Sequence, residues 1–262
     1  DNVASSMWSP NDPQFGGGGG MYNFDCSPTV DSCIFERNLG GSGGGMLNYY
    51  AKPTITNCIF NTNSNTYRDG MGGAIYNLAD ATILNCTFYQ NGWQLMTSGT
   101  ELFRPNTKEG GAVYDLLAGS TIFNCIFSNN AVLGSGGAVA CATTHVNRGT
   151  FLTNCLFYEN NSWQGYSDPS AEVINHIVGK FHPDSIDNLY DIDPLLVDPA
   201  GGDFHLPYDS PCVDAGYYLK HGNYLWPPGL PATDFEGDKR IIDGDDCGGP
   251  GIDIGADEYT PE

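Results

Sequence analysis

Gly72-Gly73-Ala74-Ile75-Tyr76-Asn77, followed by Asn85-Cys86-Thr87-Phe88-Tyr89-Gln90-Asn91, is one unit of an internal repeat. The first half recurs at 18–23, 43–48, 110–115 and 136–141. The second half recurs around Cys33, Cys58, Cys125 and Cys155. Cys-x-Phe-x-x-Asn is unbroken in all five copies, with Phe35, Phe60, Phe88, Phe127 and Phe157, then Asn38, Asn63, Asn91, Asn130 and Asn160. The cysteines are 25, 28, 39 and 30 residues apart, so the period is one coil with variable loops. Self-similarity at this period marks a stacked architecture, in which each unit buries its apolar face only against its neighbours.

Each half-unit is too short for a helical repeat and alternates with period two, as a strand does. Glycine pairs and asparagines at fixed points mark the bends, where left-handed backbone is cheap. The prediction is a parallel β-solenoid whose coils stack about 4.8 Å apart, with equivalent residues forming ladders along the axis. Cysteine and phenylalanine lie two apart and share the inner face. The Cys33, Cys58, Cys86, Cys125 and Cys155 column is expected to be mostly reduced, buried thiols, since stacked Cβ atoms sit too far apart for a relaxed disulfide. Asn57, Asn85, Asn124 and Asn154, which precede the cysteines, are expected to form an amide ladder at a tight bend, each bonding to the next coil.

The alternating residues should face outward. Tyr22, Tyr76 and Tyr114, with Leu47 and Ala140, make one outer stripe, a candidate sugar-stacking face. Ile34, Ile59, Thr87, Ile126 and Leu156 make a second. A large apolar stripe needs a cover, so this one is expected to meet the N-terminal segment, another subunit or a partner. Insertions at 64–71, 92–109 and 161–170 carry Trp93, Phe103, Arg104, Lys108, Trp163 and Tyr166, and long loops on a rigid scaffold often bind.

The chain has 262 residues and a formal charge of −21, with 35 glycines. Residues 1–165 carry 11 acidic and 6 basic side chains; residues 166–262 carry 20 and 4. Nucleic acid and anionic membrane would be repelled. No apolar run is long enough to span a bilayer as a helix. Asp1 in place of a methionine is expected of a mature product whose signal peptide has gone, or of a trimmed one.

The C-terminal acids cluster. Asp243, Asp245, Asp246, Asp253, Asp257 and Glu258 offer hard oxygens suited to Ca²⁺, although their spacing is not that of an EF-hand. The alternative is Asx turns and ion pairs to Lys239 and Arg240. Cys212 and Cys247 lie outside the ladder and would be able to pair in an oxidising compartment. Asp191, Asp193 and Asp198 would be candidate acids for a neutral-glycan hydrolase, but their proline-flanked spacing reads as turns.

The Gly-Gly-Ala-Ile and Phe-x-x-Asn repeats over 16–165 resemble those of chlamydial polymorphic outer-membrane proteins and other bacterial surface β-helices. Asp191-Ile192-Asp193-Pro194, Gly202-Asp203-Phe204-His205-Leu206, Ser210-Pro211-Cys212-Val213-Asp214-Ala215-Gly216, Asp234-Phe235-Glu236-Gly237-Asp238-Lys239-Arg240 and Asp253-Ile254-Gly255-Ala256-Asp257-Glu258-Tyr259 are similar to the choice-of-anchor Q region that closes secreted bacterial β-helix proteins. The resemblance implies a surface location and lends no catalytic residue. The expected organisation is a single-stranded right-handed parallel β-helix over 1–206, with clear repeats at 16–165 and further coils at about 171–206. Residues 207–262 then form an irregular acidic cap on the last coil.

The expected role is a non-enzymatic, secreted or cell-surface structural or adhesive protein. Its partners would be further copies of itself, other surface proteins or glycans, and its only expected cofactor, if any, Ca²⁺. The alternative is a polysaccharide-binding or polysaccharide-degrading β-helix. Lyase chemistry on this fold needs a basic group, and only 10 Lys and Arg residues exist, unclustered in the repeats. Hydrolysis needs paired carboxylates.

Overall fold

The structure is a computed structural model that describes residues 17–66, 69–95, 103–105, 107–116, 119–142, 149–163, 172–174, 177–179, 187–216, 219–221, 224–226, 230–242 and 251–261. Among them there is no helix; short strands build three long parallel sheets. Sheet 1 stacks Met21–Phe24, Met46–Tyr49, Ile75–Asn77, Val113–Leu116, Val139–Ala142 and Ile177–Gly179. Sheet 2 stacks Thr29–Asp31, Thr54–Thr56, Thr82–Leu84, Thr121–Phe123 and Phe151–Thr153. Sheet 3 stacks Ile34–Glu36, Ile59–Asn61, Thr87–Tyr89, Ile126–Ser128, Leu156–Tyr158 and Leu189–Tyr190. The chain visits the sheets in turn and then climbs, which is the β-solenoid the repeat predicts.

The register follows the sequence ladders. Phe60 pairs with Phe35 and Phe88, and Phe127 with Phe88 and Phe157. Their rings stack nearly parallel with centroids 4.7 to 5.1 Å apart, matching the spacing of neighbouring strands. Tyr190 adds one more ring, 5.2 Å beyond Phe157. Cys58, Cys86, Cys125 and Cys155 are buried free thiols in the same core as Ile55, Ile83, Ile122 and the phenylalanines. Each sulfur lies near the carbonyl two residues before it, from 3.1 Å at Cys58 to 3.3 Å at Cys86. Cys33, in the first coil, is exposed. Asn188 takes the next place in this column, its Oδ1 accepting from the Cys155 amide at 2.9 Å and its Nδ2 donating to Leu152 O at 3.0 Å. A polar side chain thus closes the apolar column.

The bends explain the glycine pairs and the asparagines. Gly72 has φ +64°, and a Cβ on the next motif glycine of the following coil, Gly111, would meet Gly137 O at 1.9 Å. Asn57, Asn85, Asn124 and Asn154 all have φ between +50° and +52°, a region that asparagine tolerates better than most residues. They do not form the expected continuous amide ladder. Only Asn124 and Asn154 bond to each other, at 2.8 Å; Asn57 Nδ2 donates to Asp31 Oδ1 of the preceding coil and to Thr233 O, and Asn85 Nδ2 to Asp253 O. The continuous ladder is made by the asparagines that end each unit. Asn38, Asn63, Asn91 and Asn130 each donate Nδ2 to the Oδ1 of the next, ending on Asn160, at 2.8 to 3.0 Å. These side chains are inside, where an unmade hydrogen bond is costly. A third column, Asn23, Asn48 and Asn77, ends on Asp115 with bonds of 2.7 to 2.8 Å.

Tyr190 ends the last strand of sheet 3 among the described residues. Beyond it the chain turns back along the solenoid. Asp193 and Asp198 cap turns by accepting from the amides of Leu195 and Gly201.

Candidate functional site

The two outer stripes are both largely covered. Tyr76 and Tyr114 are only 3% and 4% exposed. Their rings stack at 5.5 Å and pack with Leu47, Ala140, Met71 and Leu116. Of the expected aromatic face only Tyr22 is open, so no stacking platform is presented there. The exposed aromatics gather elsewhere. Phe24 stacks on Tyr49 at 5.6 Å, Tyr49 meets Tyr50 edge-on at 4.5 Å, and Phe24 and Tyr50 are 58% and 61% exposed.

The second stripe is covered by the chain's own C-terminal region, not by another molecule. Ile126 and Leu156 pack with Leu206, Cys212 and Ile254; Ile59 packs with Tyr89, Phe204 and Ala256. Thr87 Oγ1 accepts from the Ala256 amide at 3.1 Å, and Gly255 N donates to Asn124 O at 2.9 Å. The approach is close: a Cβ on Gly255, at φ +119°, would sit 2.7 Å from Ile126 Cδ1. Only Ile34 stays open, at 56%. Residues 203–206 and the described part of 207–261 thus lie as a lateral cover along several coils. Burial of the stripe explains this, since each large apolar side chain removed from water stabilises by about 1.5–3 kcal/mol.

Charge holds the cover in place. Arg240 is fully buried and donates to Asn57 Oδ1, Glu258 Oε2, Gly255 O and Ala256 O. Asp234 Oδ1 accepts the amides of Glu236, Gly237 and Asp238, and its Oδ2 accepts that of Glu258. Asp253 accepts from the amides of Asp214 and Tyr259. Burial pushes the Asp253, Asp257 and Glu258 carboxyls above the ordinary range. Both Asp253 oxygens and Glu258 Oε2 thus accept from N–H donors, as in the Asx-turn and ion-pair arrangement. Asp243, Asp245 and Asp246 lie outside the described residues. So does Cys247, the partner expected for Cys212, which is itself buried in the apolar cluster as a free thiol.

One polar cluster escaped the sequence reading. His205 Nδ1 lies 2.6 Å from Asp203 Oδ1, and its Nε2 lies 2.9 Å from Glu236 Oε2. The hydrogen bond to Glu236, then that to Asp203, pushes the imidazole up to about 9. Asp257 stands beside them, its Oδ2 accepting from the Leu206 amide at 2.8 Å. These groups edge a small pocket of about 60 Å³ lined also by Ile34, Ile59, Phe204 and Phe235. The Asp203-Phe204-His205 spacing was the available signal, but its partners lie far along the chain.

A family described as right handed beta helix region matches residues 11–175. No curated protein and no solved structure matches the chain.

Proposed function

Because the chain belongs to the right-handed β-helix family, a fold of both surface proteins and polysaccharide-active enzymes, we propose that it is a non-enzymatic structural or adhesive protein of the cell surface or extracellular space. The observation that carries this reading is the aromatic group of exposed Phe24 and Tyr50 around half-buried Tyr49, with exposed Tyr22 on the same strand as Phe24, standing on a scaffold stiffened by three side-chain ladders. Exposed aromatic side chains grouped together on a rigid scaffold favour contact with another surface. A repeat fold with such a contact is suited to homo-assembly or to decorating a filament or sheath. The same rings favour glycan binding as the second reading, since aromatic faces stack on sugars.

The test is the assembly state of the purified chain by electron microscopy and light scattering, with and without Ca²⁺. Filaments, sheets or stable oligomers that disappear in Phe24→Ser/Tyr50→Ser support the self-assembling form. A monomer under all conditions sinks self-assembly, and loss of glycan-array binding in the same variant would then establish the second reading.

A further inference from the structure

We propose that His205, Glu236 and Asp257 form a binding site for a divalent transition-metal ion of the zinc class. The ligand atoms of these three side chains lie within 4.8 Å of one another, although they come from three separate segments of the cover. The histidine is arranged as a metal ligand usually is. Asp203 Oδ1 holds Nδ1 at 2.6 Å, which fixes the ring and turns Nε2 towards Glu236; a carboxylate behind the imidazole is the common support of a metal-bound histidine. Asp257 is likewise oriented in advance, by the Leu206 amide on its Oδ2.

The donor set selects the ion. One imidazole and two carboxylates suit zinc and its neighbours, whereas Ca²⁺ takes oxygen ligands alone in larger number. Ligands around Zn²⁺ sit about 2.0–2.2 Å from the ion, so the His205–Glu236 contact of 2.9 Å has to open only slightly. Binding exchanges the proton shared between Nε2 and Glu236 for the ion, and that proton leaves to water. Two carboxylates then balance the two positive charges, and the adjoining pocket has room for water as a further ligand. The bound ion would join the 203–206, 234–236 and 257 segments beside Ile34 and Ile59.

The test uses the full chain, stripped with a chelator and titrated calorimetrically with Zn²⁺, then with Ca²⁺. Expected are one Zn²⁺ per chain, a rise in Tm, at least about tenfold weaker binding in His205→Ala and Glu236→Gln, and about 10–100-fold weaker binding in Asp203→Asn. Both ligand residues are about half exposed, and far-UV circular dichroism checks that the variants fold. A readout in the unmutated chain is Co²⁺ in place of Zn²⁺, which should shift the ring protons of a single histidine. The proposal is overturned by absence of saturable Zn²⁺ binding, by binding that survives unchanged in folded His205→Ala, by a Co²⁺ shift on no histidine, or by Ca²⁺ displacing Zn²⁺ at similar concentration.

Discussion

Arg240 and Asn57 are 183 residues apart, yet two arginine nitrogens, Nε and Nη2, share the Asn57 Oδ1 at 3.1 and 2.8 Å. The contact ties the acidic cover to a bend of the solenoid. It also neutralises Glu258, whose Oε2 lies 3.2 Å from Nη1 with both side chains fully buried. Removing one partner of a buried ion pair strands the other and costs about 3–5 kcal/mol. Arg240→Met is expected to lower stability by that amount in urea unfolding. Hydrogen exchange should speed up at 253–258 before it does in sheet 3. Unchanged exchange at 253–258 would show that the arginine does not hold the cover.

Ile254 lies in the apolar cluster with Ile126 and Leu156. Ile254→Asp puts a charge against the stripe and should detach the cover locally. The expected result is new binding of the dye ANS and a loss of about 2–5 kcal/mol, as for other core disruptions. A variant that keeps wild-type stability and binds no dye would mean the cover is dispensable to the stripe.

The two asparagine columns should respond differently. Asn91 accepts from both Asn63 N and Asn63 Nδ2 and donates to Phe60 O. Asn91→Leu leaves several inner groups unpaired, each worth about 1–3 kcal/mol, and should be severely destabilising. Asn85, at φ +50°, makes one long bond of 3.4 Å to Asp253 O. Asn85→Gly keeps the left-handed bend and should cost no more than about 1 kcal/mol. Equal losses in the denaturation midpoints of the two variants would contradict this division.

Asp115 ends the third ladder, buried, accepting from Asn77, Ser120 and Thr150. Burial pushes its carboxyl above the ordinary 3.8. A raised folded-state pKa means that its stability contribution is full below the unfolded value and falls as pH rises through the folded one. Asp115→Asn removes that loss. The stability of the variant relative to wild type should therefore grow between pH 4 and pH 8, read from urea midpoints at each pH. A gap that is constant or shrinks would refute the assignment.

The thiols should separate by burial. Cys26 and Cys33 are exposed, while Cys58, Cys86, Cys125, Cys141, Cys155 and Cys212 are buried, and burial pushes the Cys212 thiol up to about 12. Only a thiolate is alkylated readily. Iodoacetamide followed by peptide mass spectrometry should label Cys26 and Cys33 in the native chain and the six others only after unfolding. Native labelling of Cys86 or Cys125 would mean the ladder is not packed as described.

The stacked coil and the Cys and Phe ladders were legible in the sequence because they are local and repeated. Spacing of two puts Cys86 and Phe88 on one face, and five copies report the same geometry. Which asparagine column forms the continuous ladder was not legible. Asn85 and Asn91 recur equally well, and only their three-dimensional placement separates a bend facing the cover from one facing the core.

The sequence by itself also determined that an apolar stripe from Ile34 to Leu156 exists and needs a cover. Only the tertiary structure decided that residues of the same chain supply it over Ile59, Thr87, Ile126 and Leu156. That pairing has no period to read, since Asn85 and Asp253 meet across 168 residues through shape and buried charge. The same holds for His205: its carboxylate partner Glu236 is 31 residues on, and their meeting depends on how the cover lies along the solenoid.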